Sequence, residues 1–483
     1  MIIVYHYVSK PWPNRNQIFK NRTIPILRYL RNILIILCLS STIYGQELPI
    51  LKISDDHKYL VTEKGQSFFW LGGTAWELIH RSTREEVDLY LGDRKNKGFT
   101  IIQTVILAEL DGLNIPNSYG QKPLVNNDPT QINEAYFQHV DYVIDKAAEL
   151  GLYIGLLPTW GDKFHKAWGV GPEVFNPENA KVYGEILAKR YAGKSNIIWI
   201  PGGDRWPKDD EDFEIIRAMV KGLKNYDTTH LITYHTSGLA LASDYFNNDG
   251  WLDFDMFQMS HSRLDKDFEY VWKARSISPI RPVINSEPRY ENHPNRFNGE
   301  LYGWLDDSDV RVSAYWSMLA GAAGYTYGCH DIWQMFAPDR DPVNGSRTNW
   351  KEALNLPGSK QLHYMKNLFE SFPWQQMEND QTIIVNDNKT DSTFMVASIA
   401  KAKDFMILYT PMGKPISPDL SKLNSKKVVA YWYNPRDGSS KKIGKFDVTE
   451  QPEFKPWSLG RGSDFVLVII DENADYILPR NKN

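Results

Sequence analysis

The sequence predicts an α/β protein: a (β/α)8 TIM barrel followed by a small C-terminal antiparallel β-sandwich. Short apolar segments alternate with helical patterns over roughly 300 residues, the size of such a barrel, and eight segments can be counted. After about residue 379 the helical patterns stop and only short strand patterns follow. A doubly wound open sheet is the competing fold, but the glycine-rich phosphate fingerprint that such sheets often carry is missing.

The N-terminus has the pattern of a secretory signal. Basic residues precede a short apolar run at 33–39, and small residues follow up to Gly45. We therefore expect residues 1–45 to be a signal peptide, and the protein to be secreted across the inner membrane to the periplasm or the cell surface. The apolar run is too short for a membrane-spanning helix. A lipid anchor on Cys38 has weaker support, because the residues before it are not small.

The barrel is expected over residues 46–378, beginning with a β-hairpin pattern at 48–70. Its strands are expected to be apolar runs buried on both faces. They lie at 68–71, 100–103, 153–157, 197–200, 231–234, 254–258, 282–285 and 324–327. Helices are expected where capping or periodic signals occur. They lie from Ser82, which forms a capping box with Glu85, to about 95, and at 133–150, 177–191, 213–224, 308–319 and 360–371.

The remaining residues, 379–483, are expected to form a β-sandwich accessory domain. Short strand patterns lie at 382–385, 393–397, 405–409, 428–433 and 465–470. Between the last two, the sequence Asn-Pro-Arg-Asp-Gly at 434–438 is typical of a turn.

Two carboxylates follow predicted strands at their carboxyl ends. A Pro-Gly-Gly turn stops the strand at 197–200 and presents Asp204, and the strand at 282–285 leads to Glu287. In a closed barrel all such ends meet on one face, so the two carboxyls can approach each other. Either residue alone is about as often a helix cap or the ion-pair partner of a neighbouring arginine. Together they are the two carboxyl groups that glycoside hydrolysis requires. One protonates the leaving oxygen, and the other attacks the anomeric carbon or activates water.

Aromatic and polar residues follow the other predicted strands. They suit a polyhydroxylated ring, because an aromatic face packs on C–H groups and polar side chains pair with hydroxyls. Each aromatic taken singly is more often core than ligand contact, and Trp160, then Trp76, are the strongest candidates. The predicted substrate-binding residues are Trp76, Trp160, Asp162, Arg205, His235, Gln258, His261, Tyr290, Tyr327 and His330.

Other classes of function have little support. The net charge of -4 and the pI near 6.3 give no reason to expect nucleic acid or an anionic membrane as partner. There is no His-Glu-x-x-His motif, and two cysteines are too few for a thiolate zinc cage, so we expect no metal and no cofactor. A Gly-x-Ser-x-Gly nucleophile elbow is also absent. No protein partner is predicted.

These residues resemble the apiosidase-like proteins of glycoside hydrolase family 140, known from Bacteroidetes that digest plant pectin. The resemblance covers nearly the whole mature chain and rests on separated motifs in the same order, at 69–77, 201–204, 285–291 and 433–438. It implies a (β/α)8 barrel plus a sandwich of a kind sometimes labelled collagen-binding, although no residue here supports collagen recognition. It also implies Asp204 as general acid/base and Glu287 as nucleophile.

The resemblance implies that the protein is a secreted enzyme that cleaves apiosyl linkages in the pectic polysaccharide rhamnogalacturonan II with retention of configuration. The expected partner is then a plant pectic oligosaccharide or polysaccharide. Two alternatives stay open. One is another plant-glycan hydrolase on the same scaffold, such as an arabinofuranosidase or an endo-glycanase. The other is a non-catalytic glycan-binding protein, against which the presence of both Asp204 and Glu287 counts.

Overall fold

The computed structural model describes residues 9 and 47–479. Nearly all of these residues belong to one compact unit, Leu48–Asn483. The predicted signal peptide and its cut after Gly45 lie outside the described residues and stay predictions. Within the described part, no helix is long and apolar enough to cross a membrane.

Seven of the eight predicted barrel strands form one curled sheet in which they pair in parallel. All their residues are buried, as expected for a sheet covered on both faces. A short antiparallel strand, Ala240–Leu241, is added at one edge. The seven are Trp70–Thr74, Ile101–Leu107, Tyr153–Thr159, Ile197–Trp199, Asp255–Gln258, Val283–Glu287 and Gly324–Tyr327.

The predicted fifth strand, 231–234, is not a regular strand, which corrects the sequence interpretation. It makes single parallel bridges to the fourth strand region, at Ile232 and His235. The Asp253 carboxylate accepts the Ile232 N–H at 2.7 Å, where a regular ladder would place a backbone carbonyl. Backbone hydrogen bonds still connect this segment to the fourth strand on one side and to Asp253, just before the sixth strand, on the other. The barrel is therefore closed here by an irregular segment.

Helices separate the strands. The long ones are Arg84–Asn96, Glu134–Glu149, Pro177–Tyr191, Asp210–Lys224, Asp267–Ser276, Asp307–Ala320 and Pro357–Glu370. The short ones are Leu78–Arg81, Ser243–Phe246, Gly299–Tyr302, His330–Trp333 and Trp350–Ala353. The first long helix begins later than predicted, because Thr83 rather than Ser82 is its N-cap and closes the capping box with Glu86.

The barrel interior is an apolar core that supports the mouth of the barrel. Ile101, Leu157 and Met256 belong to it, together with other inward-facing strand residues. A three-stranded antiparallel sheet contributes to the same core at the opposite end. There the ring centroids of Phe68 and Tyr153 lie 5.1 Å apart. Its strands are Leu51–Ile53, Leu60–Thr62 and Ser67–Phe68, so the predicted hairpin has a third strand.

The C-terminal region is a six-stranded antiparallel sheet. Its strands are Met377–Asn379, Val396–Ala400, Phe405–Thr410, Lys427–Asn434, Ser439–Asp447 and Phe465–Asp471. The strand predicted at 382–385 is wrong: Gln381–Ile383 is a 3₁₀ turn, capped by Asp380, which accepts from the N–H and hydroxyl of Thr382. Ser439–Asp447 was missed because it is largely exposed and carries no apolar pattern.

The second layer of this sandwich consists of irregular segments joined by single bridges, Ile384 to Pro418 and Ile416 to Phe454. Ile384, Ile416 and Phe454 share an apolar core with one face of the six-stranded sheet. The opposite face shares a core with the barrel helices.

A buried ion pair holds the C-terminal sheet on the barrel. Arg311, on the helix Asp307–Ala320, donates through Nε and Nη2 to the Asp464 carboxylate at 2.9 and 2.8 Å. The Tyr409 hydroxyl also donates to Asp464, at 3.0 Å. Both charged side chains are at most 1% exposed. If the sheet moved away from the helix, the buried Arg311 and Asp464 would lose each other as partners, at a cost in free energy. The ion pair therefore favours a single docked position of the sheet.

Candidate active site

Asp204 lies just beyond the fourth barrel strand, on a turn that requires glycine. Gly202 and Gly203 have φ of +106° and +114°, and Asp204 itself has φ of +52°, a region that residues with a Cβ rarely occupy. A Cβ on Gly202 would lie 2.3 Å from the carbonyl oxygen of His235. The Gly203 N–H donates to that same oxygen, and the Gly203 carbonyl accepts from the Gly161 N–H, each at 3.0 Å. Neighbouring loops therefore hold the strained backbone that presents Asp204.

Glu287 ends the seventh barrel strand after a β-bulge. The register with the sixth strand shifts between Asn285 and Glu287, and such bulges re-aim side chains next to active sites. Glu287 Oε2 lies 3.1 Å from Nε2 of His235, and Oε1 lies 3.3 Å from Nε2 of His261. The side chain is only 8% exposed. Glu287 is therefore a nearly buried carboxyl between two imidazoles.

His235 connects the two acids. Its Nδ1 accepts the backbone N–H of Asp204 at 3.3 Å, so in the neutral ring the proton lies on Nε2. That Nε2 is the atom that faces Glu287. The backbone that positions Asp204 thus also selects the tautomer with which His235 meets Glu287.

Both acids line one cleft of about 640 Å³ at the barrel mouth, a volume typical of small-molecule sites. Its deep end is walled by rings: the centroids of Trp76 and Trp160 lie 5.2 Å apart, and those of His261 and Tyr290 lie 4.6 Å apart. The predicted site residues that line the cleft are Trp76, Trp160, Asp204, Gln258, His261, Glu287 and Tyr290.

The other five predicted substrate-binding residues do not line the cleft, and direct ligand contact stays a prediction for them. Each is buried behind it. The Asp162 carboxylate accepts from Lys163 Nζ and the Gly171 N–H. His235 is held between the two acids, as described above. Arg205 Nη1 donates to the Asp204 carbonyl at 2.7 Å.

The last two of these residues, Tyr327 and His330, are also bonded within the protein. The Tyr327 hydroxyl donates to Glu291 Oε2 at 2.6 Å. His330 Nε2 lies 3.1 Å from the Val343 carbonyl oxygen. Both side chains therefore find their polar partners within the protein.

Glu109, Trp168, His293 and Phe297 are among the cleft residues that the sequence did not predict. Glu109 follows the second barrel strand, which runs to Leu107, four residues further than predicted. An acid just past a buried strand is the pattern that identified Asp204, so a correct strand end would have found Glu109. The other three lie on long loops, where no periodic signal predicts their position.

The environment drives the pKa values of the two central acids apart. Burial, then the charge of Glu287, raises the pKa of Asp204 to about 6, although Arg205 and His235 act in the opposite direction. Burial alone would raise the pKa of Glu287, but His235 and His261 outweigh it and hold that pKa below its ordinary value. Two carboxyls tuned in opposite directions suit a proton donor and a nucleophile.

Glu109 adds a third carboxyl to this cleft. Burial, followed by the neighbouring charges of Glu77, Asp204 and Asp162, raises its pKa well above the ordinary value. We therefore expect Glu109 to hold a proton more readily than an exposed glutamate. Within residues 9 and 47–479, no three His, Cys, Asp or Glu side chains are grouped so that they could hold a metal ion.

Known proteins are similar to this chain over both of its parts. The family described as "Apiosidase-like, catalytic domain" matches residues 54–376, and the family described as "Putative collagen-binding domain of a collagenase" matches residues 379–470. A solved structure named "Glycoside hydrolase" is 34% identical, with a TM-score of 0.82 over 89% of this chain and 98% of that chain.

A second solved structure, a glycoside hydrolase family 5 protein from Bacteroides vulgatus ATCC 8482, is 32% identical. Its TM-score is also 0.82, over 89% of this chain and 96% of that chain. No curated protein matches the chain.

Proposed function

Because the chain belongs to the family of apiosidase-like catalytic domains and is a glycoside hydrolase, we propose that it releases apiosyl-linked side chains from rhamnogalacturonan II with retention of configuration. The observation that carries the proposal is the pair of carboxyls in one cleft, with the pKa of Asp204 raised and that of Glu287 lowered. The apiosyl specificity rests on the family and on the motifs that resemble it.

In this mechanism Asp204 is the general acid and Glu287 the nucleophile. The Glu287 carboxylate attacks the anomeric carbon while the bond to the leaving oxygen breaks and that oxygen takes the proton of Asp204. Asp204, now a carboxylate, then removes a proton from water, whose oxygen attacks the glycosyl–enzyme ester and releases Glu287. The raised pKa of Asp204 suits both steps, because the group must give up a proton and recover it in every turnover.

The histidines support the nucleophile. His235 and His261 face the two oxygens of Glu287 at 3.1 and 3.3 Å, and both lower its pKa. They keep the carboxylate ionised in a cleft that would otherwise favour the neutral acid. Trp76 and Trp160 supply apolar faces beside the acids on which a sugar ring can pack.

The test of the function is product analysis on rhamnogalacturonan II. We expect the wild-type protein to release an apiose-linked oligosaccharide, identified by chromatography and mass spectrometry, with the first product retaining its anomeric configuration by NMR. Glu287→Gln should abolish turnover, with unfolding curves to check that the variant folds. Release of an inverted first product would reject the retaining mechanism.

The two roles can be told apart by azide rescue of truncated variants. In Glu287→Ala, azide should replace the nucleophile and give a glycosyl azide of inverted configuration. In Asp204→Ala, azide should attack the intermediate on Glu287 and give a retained product, provided that the leaving group needs no acid. The opposite pattern would exchange the two assignments.

The runner-up is another plant-glycan hydrolase on the same scaffold, because the same acid pair can serve other glycosidic bonds. Exposed apolar side chains at the rim, such as Trp168 and Leu239, favour a substrate of more than one sugar residue. Arabinofuranosides, linear pectic glycans and rhamnogalacturonan II assayed side by side would separate the two. If sugar is released only from the arabinofuranosides or the linear pectic glycans, the proposed apiosyl specificity is rejected in favour of this alternative.

We also propose that the protein acts in the periplasm or at the cell surface. Support comes from the signal pattern of residues 1–45 alone. Cell fractionation with sequencing of the mature N-terminus tests it, and a mature chain that begins at Gln46 is the expected result. An intact leader on a cytoplasmic protein would reject it.

A further inference from the structure

The rim of the cleft carries a large aromatic side chain, Trp168, that is exposed to solvent. Trp168 lies on the loop after the third barrel strand, lines the cleft and is 59% exposed. Trp76, Trp160 and Tyr290, which line the deep end, are each 2% exposed. The cleft therefore has an enclosed end and an open end, and Trp168 belongs to the open one.

Trp168 is held in place on one side. The Arg205 guanidinium carbon lies 4.1 Å from the centroid of its ring, and Arg205 is itself fully buried. The indole N–H donates to Asp204 Oδ2 at 3.2 Å. One ring face is thus fixed on the protein by a cation–π contact, and the edge is fixed on the acid. A pre-positioned aromatic face loses little entropy when a ligand packs on it.

Contact with Asp204 decides which part of a substrate Trp168 would meet. The general acid protonates the leaving oxygen, so groups beside it on the open side face the leaving group. The enclosed end, which Trp76 and Glu287 line, is then left for the sugar that is transferred. This step rests on the glycosidase function proposed above.

We propose that Trp168 forms a leaving-group subsite, in which the C–H face of the pyranose residue bonded to the cleaved sugar stacks on the exposed part of its indole ring, beside the Trp206 ring, whose centroid lies 5.4 Å away. Val170 and Leu239, both lining the cleft and about half exposed, extend the apolar surface around it. The ligand class is a neutral or acidic pyranose, since Arg205 is already engaged beneath the ring and offers no free guanidinium to select a carboxylate.

Binding tests this subsite without turnover. In the Glu287→Gln background, calorimetric titration with an oligosaccharide from rhamnogalacturonan II should show about tenfold weaker binding when Trp168→Ala is added, the size expected for one aromatic face. Trp168→Phe keeps a ring and should stay within about threefold of the parent. The control is Trp457→Ala, a tryptophan 56% exposed on the C-terminal sheet, which should bind like the parent. Equal affinity of the Trp168→Ala and parent proteins would overturn the proposal.

Kinetics separate this inference from the proposed function. In otherwise wild-type protein, Trp168→Ala should lower kcat/KM for the oligosaccharide about tenfold or more and change it little for a glycosyl fluoride, whose leaving group is too small to pack on the indole ring and needs little acid catalysis. Equal losses on both substrates would reject the subsite and leave the glycosidase function standing. A wild-type protein that releases no sugar would instead reject the proposed function.

Discussion

The pH dependence of hydrolysis should report the ionisation of Asp204. Burial and the charge of Glu287 raise its pKa from 3.8 to about 6, and a general acid works only while protonated. With that pKa, about half of the Asp204 side chains carry the proton at pH 6, about one in eleven at pH 7 and about one in a hundred at pH 8. With the ordinary value, fewer than about one in a hundred would do so at pH 6. The environment of Asp204 thus increases the fraction of protonated side chains at pH 6 about eightyfold.

We therefore expect kcat/KM to be half-maximal near pH 6 and to fall about tenfold for each pH unit above 7. Initial rates of sugar release from a rhamnogalacturonan II oligosaccharide between pH 4 and pH 9 measure this, with circular dichroism to confirm folding at each pH. Asp204→Asn should lower kcat/KM about 10²–10⁴-fold and remove the basic limb. An aryl glycoside with a good leaving group should lose much less, because it needs no acid.

The neighbouring charge gives a second measurement of the same coupling. Glu287→Gln removes one negative charge beside Asp204, so the pKa of Asp204 should fall, but only in part, because burial is the larger cause. Carbon NMR titration of the Asp204 carboxyl measures this in the inactive variant. A flat pH profile between 5 and 8, or a basic limb that survives Asp204→Asn, would refute the role of Asp204, and an unchanged pKa would refute the coupling.

Three further predictions concern the stability of the fold. Gly203→Ala should lower both stability and activity, because φ is +114° and the new Cβ would lie 2.8 Å from Trp160 Cε3; thermal unfolding and kcat/KM measure this. Asp464→Asn should destabilise by less than the about 3–5 kcal/mol of an uncompensated buried charge, because Arg311 loses one carboxylate but keeps Asp307 as an ion-pair partner; urea unfolding measures it. Burial raises the pKa of Glu291 from 4.5 to about 7, so the folded state loses about 3 kcal/mol through this group as pH rises across that range. Glu291→Gln should remove this loss and gain stability relative to wild type between pH 4 and pH 8.

Each of these has a matched control in the same chain. Gly460 has φ of +108° and no heavy atom within 4 Å of the position that a Cβ would take, so Gly460→Ala tests backbone strain without a clash. Asp475→Asn is the control for Asp464→Asn, and Glu352→Gln is the control for Glu291→Gln, because Asp475 and Glu352 are exposed. If a control changes stability as much as its partner, the clash, the buried ion pair or the buried carboxyl is not the cause.

The outline of the fold was predictable because strands buried on both faces leave continuous apolar runs. Helix ends were predictable to within a few residues, since Pro177 and Asn133 carry capping chemistry. The irregular fifth segment was not predictable, because the side chain of Asp253, on the neighbouring segment, replaces a backbone hydrogen-bond partner. Ser439–Asp447 was missed because an exposed edge strand needs no apolar residues.

The candidate site was predicted in part for the same reason. Asp204 and Glu287 follow strands whose ends the sequence marks, whereas Glu109 follows a strand that continues beyond its predicted end. Trp168 and Phe297 reach the cleft from loops, and loop paths depend on contacts remote in sequence. No local pattern could have connected them to the two acids.

By itself, the sequence determined seven of the barrel strands and the acids that follow the fourth and the seventh, because burial on both faces and turn-forming glycines act over a few neighbouring residues. Only the tertiary structure decided how those acids differ. His235 meets the backbone of Asp204 and the carboxylate of Glu287 at once, and the two carboxyls share one partly buried cleft. Coulomb interactions and desolvation depend on distance in space rather than along the chain, so the division of roles between Asp204 and Glu287 follows from the closed barrel.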